Sequence, residues 1–198
     1  MILGTDFYRR PTLEVARDLI GKVLVHLAPD GTAAGIIVEV EAYIGEDDPA
    51  CHAAAGPTAR NAPLYGPPGL AYVYLNYGLH HLVNAVTEPA GSPAAVLIRA
   101  LEPVDGLAVM RARRARAPWR KGAGAPADVE LCRGPGNVTR ALGISLAHNR
   151  QPLTKRPLTI EERGVRISNL AWTPRVGISV GTDRHWRVHA AGHAAVSR

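Results

Sequence analysis

The 198-residue sequence predicts an α+β domain built on a largely antiparallel sheet. Strand-like runs dominate its first third, helical patterns its middle, and strand-like runs return at its end, an order that favours a mixed domain over alternating βα units. Two tight-turn signals, Pro29-Asp30-Gly31 and Asn76-Tyr77-Gly78, join neighbouring apolar runs as hairpin turns do. No repeat, linker or composition shift divides the chain, so one domain is expected over 1–198.

The elements follow in order. Residues 11–20, PTLEVARDLI, place Leu13, Ala16, Leu19 and Ile20 on one helical face, with Gly21 to end the helix. KVLVHLA at 22–28 reads as a strand, the Pro-Asp-Gly turn follows, and AGIIVEVEAYI makes a second strand near 34–44. Residues 45–69 carry acidic residues, Gly and Pro without a period and read as a long loop, a length often tied to function. LAYVYLNYGLHHLVNAV and AAVLIRAL are strand-like, the first folded at Asn76-Tyr77-Gly78. A helix with a basic face is expected over 103–116, shorter helical pieces near 127–132 and 137–142, and strands near 157–162, 174–180 and 185–189.

Composition narrows the function. The formal net charge of +6 and a pI near 9.7 suit a polyanionic partner such as nucleic acid. The longest apolar runs, such as AAVLI at 94–98, are too short to span a bilayer, and the first residues lack the basic-then-apolar order of a secretion signal. Cys51 and Cys132 are the only cysteines, too few for a disulfide framework or a four-cysteine zinc site, which points to a reducing, intracellular setting.

Three clusters carry candidate chemistry. Glu39, Glu41 and Tyr43 alternate along one strand and so share a face. An exposed edge strand carrying Glu for solubility would explain them; the sharper reading makes one glutamate a general base. A carboxylate pair of the glycosidase kind is a third reading, since alternate strand residues lie roughly 6.5–7 Å apart. Downstream, Asp47, Asp48, Cys51 and His52 crowd the loop, but no recognised ligand spacing supports a metal site. Within YVYLNYGLHH at 72–81, Tyr72 and Tyr74 share a strand face. Tyr72 reads as packing, whereas Tyr77 falls at the turn tip, where a ring can wedge between stacked bases. Arg111, Arg113, Arg114, Arg116, Arg120 and Lys121 form the densest basic cluster and read collectively as a phosphate-tracking surface. Arg99, alone at the end of an apolar strand, requires a specific partner.

The segments IIVEVEAYIGEDDPACH, PLYGPPGLAYVYLNYGLHHLVNAV, VLIRALEPVDGLAVM, ELCRGPGNVTRALGI and PRVGISVGTDRHWR together resemble the alkyladenine (3-methyladenine) DNA glycosylase family, over nearly the whole chain. The resemblance implies one domain with a curved antiparallel sheet, flanking helices and a protruding β-hairpin that inserts into DNA. It implies a monofunctional enzyme of base excision repair that removes alkylated purines, with deaminated purines as a further class. Glu41 then corresponds to the general base that activates water, and Arg99 to an arginine beside that water. Tyr43, His52 and Tyr74 match the rings around the flipped base, Asn84 a pocket-floor residue that excludes guanine, and Tyr77 the intercalating tyrosine. The partner implied is double-stranded DNA with a damaged base. No metal or other cofactor is implied, and no membrane; the protein would act as a monomer in a bacterial cytoplasm or a eukaryotic nucleus. His80 and His81, and Val188, His189 and Ala194–Ala195 near the C-terminus, depart from the family pattern. A DNA-binding module without catalysis is the competing reading of the same scaffold.

Overall fold

The computed structural model describes residues 1–116 and 126–197. Two short helices, α1 (Thr5–Tyr8) and α2 (Thr12–Leu19), precede the sheet. Helix α2 buries Val15, Ala16 and Leu19, and its first turn is capped from a distance: Glu88 accepts from both the Thr12 amide (2.6 Å) and its hydroxyl (2.8 Å).

Among the described residues nine strands form one sheet, and their pairings are antiparallel. They are β1 (Val23–Ala28), β2 (Gly31–Ile44), β3 (Ala71–Asn76), β4 (His80–Val86), β5 (Ala94–Asp105), β6 (Thr154–Lys155), β7 (Leu158–Glu161), β8 (Leu170–Thr173) and β9 (Arg187–Ala190). The main order is β3-β4-β5-β2-β1-β7-β6, with β9 and β8 branching from β2.

The branch originates in β2, the longest strand. Its register against β5 shifts on both sides of Glu39, so the strand bends there. Up to Ile36 its other edge pairs with β1; from Glu39 to Glu41 the same edge pairs with β9. β2 is therefore central, and the exposed-edge reading of its glutamates fails: Glu39 and Glu41 are both 0% exposed.

Helices α3 (Leu107–Ala115) and α4 (Pro135–Leu142) pack on each other, with α4 also against β4 and β5. Leu19, Ile37, Ile98, Leu101, Met110 and Leu142 fill the core between helices and sheet. Helix α3 begins four residues later than the sequence suggests, because Pro103–Asp105 complete β5 and Gly106 turns the chain at φ 73°. The strand expected near 174–180 is absent. That segment is a loop, broken by Gly177 at φ 75°, and the paired strand lies at Leu170–Thr173 instead. The loop at 45–69 contains two 3-10 turns, His52–Ala55 and Ala62–Tyr65. Among the described residues, no helix is long and apolar enough to cross a membrane.

Candidate active site

Strand β2 projects Glu41 and Tyr43 to the same side, and β5 places Arg99 against them. The Glu41 carboxylate accepts from the Tyr43 hydroxyl (2.9 Å), Arg99 Nη1 (3.2 Å) and the backbone amide of Val176 (2.7 Å). An ionised carboxylate has about four acceptor positions, so these three donors leave room for one more. Burial and the adjoining Glu41 charge push the Tyr43 phenol well above its ordinary 10.0, which keeps it a proton donor to the carboxylate.

Glu39 is spent otherwise. It accepts from Arg99 Nε (3.0 Å), Arg187 Nε (2.7 Å) and both the amide (2.7 Å) and hydroxyl (2.8 Å) of Ser197. Three of these donors converge on Oε1 and one on Oε2, so two arginines and Ser197 tie this carboxylate into the fold. Burial alone would raise its carboxyl, but Arg99, the Ser197 amide and Arg187 outweigh burial and hold it below the usual carboxylate range.

Beside this network lies a cavity of about 380 Å3, within the range of small-molecule sites, lined among others by Tyr43, His52, Tyr74, Tyr77, Asn84 and Arg99. Hairpin β3–β4 supplies three of these. Tyr72 lies directly across the ladder from Asn84, whose side-chain amide donates to the Tyr72 carbonyl (3.0 Å). The neighbouring 3-10 turn delivers His52, whose ring sits 4.5 Å from that of Tyr74 and whose Nδ1 is 2.8 Å from the Tyr72 hydroxyl. Burial, helped by the Arg60 charge, lowers the His52 imidazole below 6.5, so it is neutral at pH 7. The Asn61 side chain ties down this turn by donating to the His52 and Gly56 carbonyls (both 2.8 Å).

The sequence model described as "Methylpurine-DNA glycosylase (MPG)" matches residues 6–194. The chain belongs to this family. It is a DNA glycosylase, a hydrolase of N-glycosyl bonds, and its place is base excision repair of alkylated bases. Relatives that carry the name "Putative 3-methyladenine DNA glycosylase" match along most of their length. One from Chlorobium phaeobacteroides is 45% identical over 98% of this chain and 94% of its own. One from Methanocella arvoryzae is 46% identical over 100% and 96%. One from Rhodopseudomonas palustris is 49% identical over 94% and 83%.

In the glycosylase Tyr77 borders the cavity but, unlike the half-buried Tyr43, His52 and Tyr74, is exposed. Tyr77 is 85% exposed at the hairpin tip, flanked by Leu79 at 62%. Tyr77 and Gly78 both take positive φ, at 49° and 69°, the combination a type I′ turn requires. For tyrosine this is a strained conformation.

The basic cluster divides. Arg113 is removed from the phosphate-tracking set: its guanidinium is buried against Asp30 in the β1–β2 turn (Nε–Oδ2 3.0 Å) and donates to the carbonyls of Ala141 (3.0 Å) and Gly31 (3.1 Å). Arg114 is buried too, and Arg111 pairs with Asp128. Arg116 is exposed, but it borders a separate depression with His26 and His148 rather than the cavity beside Glu41. Arg120 and Lys121 lie outside the described residues.

Sequence reasoning missed Arg175 and Val176 of the loop after β8, and Arg187 and Ser197. Arg175 makes a buried two-pronged pair with Asp48 (2.5 and 2.7 Å) and lies over the Tyr43 ring, its guanidinium carbon 4.6 Å from the centroid. Asp48 and Glu41 are thus engaged by arginines. Among the described residues, no three His, Cys, Asp or Glu side chains are grouped to hold a metal ion.

Proposed function

We propose that this glycosylase flips a methylated purine out of double-stranded DNA, as a monomer, and hydrolyses its glycosidic bond with a water activated by Glu41. The observation that carries this reading is the Glu41 carboxylate held by three donors beside a cavity walled by Tyr43, His52 and Tyr74. The name its relatives carry supplies the expected lesion, 3-methyladenine.

A purine alkylated at N3 or N7 is cationic, and aromatic faces favour a cation over a neutral base. The cage adds no opposing charge, because His52 is neutral and Arg99 is balanced by Glu39 and Glu41. Asn84 on the cavity wall is the candidate for excluding guanine. Tyr77 takes the place of the extruded base in the stack, which lowers the cost of flipping.

In the bond-breaking step the C1′–N9 bond opens and its electron pair neutralises the cationic purine. The sugar becomes oxocarbenium-like, and Glu41 both faces that charge and takes the proton of the attacking water. Arg99 and the Val176 amide hold the Glu41 carboxylate in place.

The test uses a duplex with one alkylated purine. Free base should appear while the strand stays intact until alkali cleaves the abasic site. Strand cleavage without alkali, or no released base, contradicts the reading.

A further inference from the structure

The three nitrogens of the Arg99 guanidinium go to three different partners. Nη1 donates to Glu41 (3.2 Å), Nε to Glu39 (3.0 Å) and Nη2 to the Ser197 hydroxyl (3.2 Å). The direction of the planar fork is therefore set by two contacts outside the Glu41 pair, and Ser197 takes part in both. Its hydroxyl accepts from Arg99 and donates to Glu39 (2.8 Å), and its amide also donates to Glu39 (2.7 Å). One hydroxyl proton and two lone pairs satisfy this arrangement without conflict.

The segment that brings Ser197 there is itself anchored. Ala195 is fully buried, Arg133 donates to the Ala194 carbonyl, and Arg187 Nη2 donates to the Ser197 carbonyl (3.3 Å). Arg187 also holds Glu39 and the Thr173 hydroxyl, so β8, β9 and the tail close on one buried carboxylate. A guanidinium on a long stem is costly to immobilise, and a site loses rate when a charged group drifts by even an ångström.

We propose that Ser197 is a positioning residue for hydrolysis: with Glu39 it fixes the fork of Arg99 and thereby aims Arg99 at the Glu41 carboxylate. This rests on the reading of Arg99 and Glu41 as the catalytic pair. The Ser197 hydroxyl is the adjustable part, since its removal leaves the amide contact to Glu39 in place.

The experiment is a double-mutant cycle on the full chain, with steady-state excision and DNA affinity measured for wild type, Ser197→Ala, Ser197→Thr, Arg99→Gln and the Ser197→Ala/Arg99→Gln pair. Ser197→Ala should lower kcat by about three- to tenfold, the net scale of one ordinary hydrogen bond, with KM and DNA affinity unchanged. Ser197→Thr, which keeps the hydroxyl, should recover most of the rate. In the Arg99→Gln background Ser197→Ala should have no further effect. Should Arg99→Gln fail to fold, the kcat–KM split and the threonine rescue decide alone. Wild-type kcat in Ser197→Ala, a rise in KM with kcat intact, or full additivity with Arg99→Gln overturns the proposal. Failure of the underlying reading shows differently: Arg99→Gln itself would then excise at the wild-type rate.

Discussion

The Tyr43 hydroxyl donates to the Glu41 carboxylate over 2.9 Å, although the two residues stand only two apart on one strand. Strand alternation puts both on one face, and the raised phenol pKa keeps the proton on Tyr43. One residue thus contributes to the cavity wall and to the Glu41 network. Tyr43→Phe keeps the ring and removes the donor. Its expected effect is a fall in kcat of about tenfold, the scale of one hydrogen bond to an ionised group, with lesion affinity preserved. Single-turnover excision beside equilibrium binding checks this; an equal loss in both would assign the hydroxyl to binding instead.

Tyr77 separates function from stability. It is exposed and held at φ 49°, so Tyr77→Gly relieves backbone strain while it deletes the wedge. Excision from duplex DNA should fall by about 10- to 100-fold, the scale of one lost base–aromatic stack, while Tm stays level or rises. A large drop in Tm would show the ring to be structural.

The Asp48–Arg175 pair is buried and backs the Tyr43 ring. Arg175→Met leaves Asp48 without its two-pronged partner, and loss of one member of such a pair costs about 3–5 kcal/mol. Denaturant unfolding should show a loss of that size, and a change below 1 kcal/mol would contradict the assignment.

His26 gives a pH dependence. Its Nδ1 lies 2.7 Å from the Leu142 carbonyl and its Nε2 3.0 Å from Nε2 of His148, and burial lowers its pKa below 6.5. The folded state therefore binds a proton less readily than the unfolded state, so this contribution is intact above about pH 6.5 and declines as pH falls toward the folded pKa. His26→Asn, which cannot titrate, should flatten the fall in Tm between about pH 6.5 and 5. An unchanged slope would place the acid sensitivity elsewhere.

Much of this site is legible in the chain because it lies on regular strands. Period-two alternation groups Glu41 with Tyr43, and the Asn76–Gly78 turn brings Tyr72 opposite Asn84. The division of labour between Glu39 and Glu41 is not legible, since it depends on donors from Arg187 and Ser197, about 150 residues away. Arg113 misleads for the same reason: its partners come from the β1–β2 turn and the end of α4. Residues 174–180 alternate like a strand, yet Gly177 at positive φ turns them into the loop that delivers Arg175 and the Val176 amide. Long-range partners and single backbone angles leave no periodic trace.

The most direct test of the central claim is Glu41→Gln, measured as release of free base from a duplex with one methylated purine, beside its affinity for the same duplex. The amide nearly preserves shape but cannot take the water's proton. Excision should fall by about 10²-fold or more, with affinity within about threefold of wild type. Excision at the wild-type rate would contradict the assignment of Glu41 as the base.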